Sequence, residues 1–565
     1  MAACYAVIAL LFIPLSLFLR FYFLSNPILE PHPWRQTQTA LTIVHLYKGT
    51  INWLNYQSPF DGKLWKFVFE FPLYQWIVAL VMKLGLSLEV ASRLVTLDFF
   101  LAGWVVFGVI LYRVWGKQVA LWGGLFYFIS PFNVIYSRVC LVDFTAVFLV
   151  LLTFLGTIEF LRDRQKTSWR WLLTTLVAGS LAAVIKVNIW YIPAGFLGSY
   201  SLWNFFRNRE RRWSYFYVGF VFAIQLLSAM LWIYYTHRFT DSTHIHAHNQ
   251  WLFGPLVDRL NLWQWKKILD WILRGVFHDW MVVPALFMLL WVWTRPYLKL
   301  LLVGLALIPI AVMFNVHTYH DYYLISVMPY LMAMAGWGMA EILRLPKYRL
   351  AVWLGATLVV CVWKFYKLPY QYTTIFHDYR EELKSAETLK RLTSPNDIIY
   401  VDKNLGQYQL AIYSDRLVAL GDAEPNLRGA TPSPKDPLDP TVFLLVPGDE
   451  RFDLLDPYEM IWIDPLTELM LYRVAGSGEF GWSRQKILLT DEPISMASVP
   501  LDVSKPTEIN LCLNEKGSAF SLSGRGVLEL SFEGSRPILL PIRKTLFLPA
   551  EVSPNCRAIL SRHPG

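Results

Sequence analysis

Eleven apolar runs dominate the first 366 residues, over 4–24, 89–112, 119–137, 141–161, 171–185, 189–206, 213–235, 280–294, 297–316, 320–343 and 350–366. Each is long enough, or nearly so, to cross the roughly 30 Å of hydrocarbon in a bilayer as a helix. In lipid the backbone must satisfy its own hydrogen bonds, so runs of this length are threaded as helices. The expected fold class is therefore a polytopic α-helical membrane protein of about 11 spans. Composition agrees, with 55% of residues hydrophobic and only 16% charged, against about a quarter charged in soluble domains. The net charge of +9 sits in short clusters between apolar runs rather than on one polar face, which argues against nucleic acid as a partner. The first run, Cys4 to Leu24, lacks a basic lead-in and a small-residue cleavage site, and so reads as a retained span. Five cysteines show no metal-binding spacing, and only Cys512 and Cys556 are placed to pair with each other.

One further run, Phe71 to Ser87, contains Pro72 and Lys83, and counting it as a span would reverse the sidedness of everything after it. Charge decides. With 71–87 interfacial and the N-terminus inside, five short connectors (113–118, 162–170, 207–212, 295–299 and 344–349) face the cytoplasm. They carry Lys and Arg at several times the density of the long outer loops 25–88 and 236–279, as the positive-inside rule requires. The expected location is a plasma or inner membrane, crossed many times, with everything from residue 367 outside. That outer part changes composition: 367–478 reads as an α/β domain and 479–565 as a β-rich module with short strands at roughly ten-residue spacing.

Polar residues in or beside spans are costly and tend to serve function. Here they gather on the outer side: Glu30-Pro-His-Pro-Trp-Arg-Gln-Thr-Gln38, Glu70-Phe-Pro72, Ser137-Arg-Val-Cys-Leu-Val-Asp143, a lone Lys186 between two short apolar runs, and His317-Thr-Tyr-His-Asp-Tyr-Tyr323. Their order resembles the glycosyltransferase C superfamily. The closer likeness is to the branch of dolichyl-phosphate-mannose protein mannosyltransferases and lipid A aminoarabinose transferases. The resemblance covers about residues 1–366 and implies transfer of a sugar from a polyprenyl-phosphate carrier to a lipid, glycan or protein acceptor at the outer face, with inversion.

Such a reaction needs a base for the acceptor proton and cations for the departing phosphate. Arg35, Arg138 and Lys186 are the expected phosphate ligands. The resemblance implies an acid in the first outer loop, but Gln38 stands there and cannot accept a proton near neutral pH. Glu30, Glu70 and Asp143 are left as candidate bases, with Asp143 or Glu70 favoured. Gln36, Gln38, His320, Asp321, Tyr322 and Tyr323 are expected to touch substrate. Plainer readings stand beside these: interfacial anchoring for the arginines, snorkelling for Lys186, helix capping for Glu70 and Asp143, and an aromatic belt for the tyrosines. A divalent cation is used by some members of the superfamily. The spacing His244, His246, His248, with His237 and Asp241 nearby, suits either a metal or a solvated loop. Two other functions share parts of this pattern: a polymerase or ligase of lipid-linked glycans, and a transporter, for which neither repeat symmetry nor broken mid-span helices are seen.

Overall fold

The computed structural model describes residues 2–54, 70–162, 169–238, 250–277, 279–291, 295–346, 351, 374–377, 379–393, 395, 397–401 and 407–420, and the later strands named below. The chain divides into two compact units, Met1–Ser58 with Lys66–Asp378, and Pro59–Trp65 with Tyr379–Gly565.

The first unit is helical. Its elements are α1 (Ala2–Phe21), α2 (Pro33–Lys48), α3 (Leu73–Met82), α4 (Leu88–Trp115), α5 (Lys117–Ile129), α6 (Pro131–Tyr136), α7 (Asp143–Arg162), α8 (Trp169–Ile185), α9 (Val187–Arg207) and α10 (Arg212–His237). After these come α11 (Leu262–Trp271), α12 (Asp279–Trp291), α13 (Pro296–Val312), α14 (Phe314–Tyr319) and α15 (Met328–Ile342). Three stretches, Leu88–Trp115, Asp143–Arg162 and Arg209–His237, are long and apolar enough to cross a membrane. The helix pairs α4/α7, α7/α8, α8/α10 and α5/α15 pack against each other. At the last of these, a Cβ on Gly336 would lie 2.5 Å from the Gly123 backbone, so the two helices touch main chain to main chain.

Several apolar runs are shorter as helices than as sequence. Ser130 and Pro131 divide the run 119–137 into α5 and α6, because the proline ring cannot continue the preceding helix. The run 320–343 is helical only from Met328, its first residues forming a 3-10 turn over Asp321–Ser326. At ten residues, or about 15 Å, α3 is too short to cross. The first loop is more ordered than its sequence suggests, since 33–48 folds as α2. Pro33 opens this helix, and Gly49, in the left-handed conformation, closes it by donating to the carbonyls of His45 and Leu46. The expected span 350–366 lies outside the described residues apart from Ala351.

In the second unit a helix, Arg380–Leu392, precedes a five-stranded sheet of order β2-β1-β3-β5-β4. Strand β1 (Ile398–Val401) runs parallel to β2 (Leu417–Leu420) and β3 (Val442–Pro447), while β5 (Leu469–Val474) runs antiparallel to β3 and to β4 (Glu459–Ile463). From Ala497 onward the described chain is all strand: β6 (Ala497–Pro500), β7 (Thr507–Ile509), β8 (Phe520–Ser523), β9 (Gly526–Ser531), β10 (Ile538–Ile542), β11 (Thr545–Leu548) and β12 (Arg557–Ser561). These form sheets of order β10-β9-β12-β7 and β11-β8-β6. The expected strand 486–489, Cys512 and Cys556 lie outside the described residues.

Candidate active site

Three breaks in the helical pattern bring charge together. Asp143 is the first residue of α7, Lys186 fills the break between α8 and α9, and Glu70 precedes the Pro72 that caps α3. The Phe71 amide donates to the Val184 carbonyl at 3.0 Å, tying the Glu70 segment to the end of α8. Lys186 Nζ then donates to Asp143 Oδ2 at 2.9 Å and lies 3.8 Å from Glu70 Oε1. Glu70 also accepts from Arg35 on α2, whose other terminal nitrogen donates to Gln38 Oε1 at 2.5 Å. The rings of Tyr322 and Tyr323 stand 5.9 and 5.8 Å from Lys186 Nζ, and they stack on each other with centroids 4.5 Å apart.

The result is a line of alternating charge, Asp143, Lys186, Glu70, Arg35, largely withdrawn from water: Lys186 and Asp143 are 7% and 1% exposed. Burial works against the charge on Arg35, but Glu70, the two tyrosines and Asp143 outweigh it and hold the guanidinium above its ordinary range. Two cations held rigidly by carboxylates suit the binding of a phosphate, since neither has to be ordered when the anion arrives.

A second group adjoins the first. Asp321, at the start of the 3-10 turn, accepts from His32 Nε2 and from the Tyr136 hydroxyl, both at 2.6 Å. The His32 ring meets Tyr322 edge-on at 4.9 Å and His320 at 5.1 Å, and His320 in turn lies 5.3 Å from Trp251. Burial, with His32 beside it, lowers His320 to about 4. Of the residues expected from sequence, Arg35, Glu70, Asp143, Lys186, Gln38, Asp321, Tyr322 and Tyr323 are thus brought together, with His320 at the edge.

Three expected residues are not in this group. Arg138 and Glu30 are completely buried and paired with each other at 2.9 Å, with Arg93 a further 3.4 Å from the same Glu30 oxygen. Arg138 also donates to the Leu19 and Phe23 carbonyls, and Arg93 to those of Leu24, Asn26 and Pro27. This cluster holds the main chain as it leaves α1, and it sets Arg138, the expected phosphate ligand, against Glu30, an expected base, rather than beside Lys186. Gln36 is likewise a fastener, donating to the Pro31 carbonyl and accepting from the Cys140 amide. Sequence reasoning passed over His32, Arg93 and Arg20. Arg20 is buried in α1, where it donates to Ser137 Oγ and the Phe128 carbonyl. An arginine inside an apolar run was the available signal for Arg20 and Arg93.

A divalent cation does not fit this arrangement. Among the described residues no three His, Cys, Asp or Glu side chains are placed to hold a metal ion together, and Asp143 and Glu70 both lie against Lys186. His244, His246, His248 and Asp241 lie outside the described residues, and His237 is exposed at the end of α10.

Fold and charge together define a multi-helix membrane protein with a basic and acidic site built at helix ends. The sequence pattern of the dolichyl-phosphate-mannose-protein mannosyltransferase family matches residues 70–233, a stretch holding Glu70, Asp143 and Lys186. The fold is similar to that of ArnT from Cupriavidus metallidurans bound to undecaprenyl phosphate. The TM-score is 0.57 at 14% identity, over 84% of this chain and 98% of that one. The apo form of the same protein gives 0.53 at 14% identity, over 84% and 99%. No curated protein sequence matches the chain. The resemblance to the mannosyltransferase and aminoarabinose transferase branch, drawn from sequence motifs, is therefore borne out.

Proposed function

We propose that the protein is a membrane glycosyltransferase that moves a sugar from a polyprenyl-phosphate carrier to a lipid, glycan or protein acceptor on the extracytoplasmic side. The observation that carries this reading is the pair of nearly buried cations, Lys186 and Arg35, joined through Glu70 and backed by Asp143. The undecaprenyl phosphate bound by ArnT, whose fold this chain shares, supports the choice of carrier. As the bond to the anomeric carbon breaks, a phosphodiester becomes a phosphomonoester and gains a negative charge. Fixed ammonium and guanidinium groups stabilise that gain without reorganising. Asp143 and Glu70 set the positions of the two cations, and Gln38 completes the shell of Arg35. Tyr322 and Tyr323 supply a stacked aromatic wall of the kind that sugar and isoprenoid groups pack against.

The test is to incubate the purified full-length protein with a panel of undecaprenyl-phosphate monosaccharides and to measure released undecaprenyl phosphate, with and without membrane lipids as acceptors. Release from at least one donor is expected. A protein that binds undecaprenyl phosphate but releases none from any donor would support carriage of the lipid rather than glycosyl transfer.

A further inference from the structure

In the reaction proposed above, one role is unfilled: a group must take the proton of the acceptor hydroxyl. Gln38 cannot do so, and the acids beside Lys186 are both engaged, Asp143 with Lys186 and Glu70 with Arg35. We infer that His32, oriented by Asp321, is the group that takes this proton; the inference rests on the glycosyl-transfer reading.

The geometry is that of a base with its orienting partner. Asp321 Oδ1 accepts from His32 Nε2 at 2.6 Å, which places the ring hydrogen on Nε2 and leaves Nδ1 with a free lone pair. Tyr136 donates to the same carboxylate oxygen from the other side, at 2.6 Å, so the acid is itself held. The Asp321 side chain is 11% exposed and that of His32 is 21% exposed, an order that sets the carboxylate behind the imidazole. The His32 ring lies edge-on to Tyr322 at 4.9 Å, and Tyr322 is 5.9 Å from Lys186 Nζ. The imidazole and the cation assigned to the carrier phosphate thus both lie within 6 Å of one aromatic ring. Arg35, the second such cation, is three residues further along, at the neighbouring position on α2.

The backbone points the same way. His32 precedes α2 in the left-handed conformation, φ 60° and ψ 53°, and its side chain makes no capping bond. His is among the residues that tolerate this conformation, and a residue chosen to cap the helix would be Ser, Thr, Asp or Asn, so the imidazole is not spent on the cap. The side chains facing His32 are those of Asp321, Tyr136, His320 and Tyr322. His320 does not compete for the role, because burial and the neighbouring His32 lower it to about 4, too weak a base near neutral pH.

The step balances. The acceptor O–H proton passes to Nδ1 of His32, and the acceptor oxygen bonds to the anomeric carbon. The bond from that carbon to the carrier phosphate breaks, and its electron pair leaves on the phosphate oxygen, stabilised by Lys186 and Arg35. The imidazolium, paired with Asp321, then returns its proton to water.

His32→Gly is the informative variant, because glycine keeps the left-handed backbone while removing the imidazole. In the full-length protein, release of undecaprenyl phosphate from whichever undecaprenyl-phosphate monosaccharide the wild type uses should fall by about 100-fold or more. Added imidazole should restore part of the rate, and the thermal shift produced by undecaprenyl phosphate should be unchanged. Asp321→Asn should lower turnover and move the acid limb of the pH profile to lower pH, because the imidazolium loses its partner. Wild-type turnover with an unaltered pH profile in His32→Gly would overturn the inference. So would a loss that imidazole does not restore, accompanied by lost carrier binding, which would make His32 a latch. An inert wild type would instead defeat the glycosyl-transfer reading itself.

Discussion

At the residue scale, the distinction that matters is between ion pairs that hold the chain and ion pairs that hold a ligand-binding charge. Arg138 with Glu30 is of the first kind, since its donors end on main-chain carbonyls next to α1. Arg138→Gln should therefore cost about 3–5 kcal/mol, by leaving a buried carboxylate undercompensated. The fraction that still folds should turn over normally, as seen by melting temperature and by activity per folded molecule. The proposed function puts Lys186 with Asp143 in the second kind. Lys186→Met should lose about 100-fold or more in turnover and also lose stability, because Asp143 is stranded. Adding Asp143→Asn should recover the stability but not the turnover, a separation that a merely snorkelling lysine would not give. The sequence made Lys186, Glu70, Asp143 and Arg35 legible, because charged residues flanking apolar runs are conspicuous. It could not sort Arg138 from Arg35, since both are arginines on the outer side and differ only in what surrounds their guanidinium. His32 lay in view within a motif, but its worth depends on Asp321, 289 positions away, and no local pattern encodes that pairing.

At the element scale, the positions of the long helices follow from the length of the apolar runs, whereas the interruptions that build the site are marked only in part. Lys186 and Asp143 owe their placement to helix ends: Pro131 announces the break after α5, and the one at Lys186 shows as a lone charge between two short apolar runs. The order in the first loop was also hidden. Its helix, α2, carries the polar stretch Arg35-Gln-Thr-Gln-Thr39 and is held by Pro33 at one end and Gly49 at the other. The close approach of α5 and α15 gives this scale its own test. At Gly336 a side chain would meet the Gly123 main chain at 2.5 Å, so Gly336→Val should force the helices apart and cost about 1–3 kcal/mol or more. Gly108→Ala in α4, where a Cβ meets nothing within 4 Å, should be neutral or slightly stabilising by helix propensity. Thermal melts of both variants in detergent decide this, and an equal response would mean that the α5/α15 contact is looser than described.

At the scale of the whole molecule, everything above depends on which side of the membrane the helix ends face. The five groups of polar residues share one side only if 71–87 does not cross, and the ten-residue α3 is consistent with its lying along the surface, since about 15 Å of helix spans half the hydrocarbon. The connectors 113–118, 162–170, 207–212, 295–299 and 344–349 then form the basic cytoplasmic face. The same parity is the basis for expecting residues beyond 367 outside the cytoplasm. A reporter fused after Arg349 should accordingly read as cytoplasmic, and one fused after Lys367 as extracytoplasmic; both fusion points lie outside the described residues and are set by sequence alone. Cysteine labelling from outside intact cells should reach residues introduced near Asn52 or Arg259 but not near Arg209. If the fusion after Lys367 read as cytoplasmic, one more or one fewer segment would cross. If that extra or missing crossing lay before Lys186, the extracytoplasmic acceptor would have to be abandoned even if the chemistry of the cluster survived.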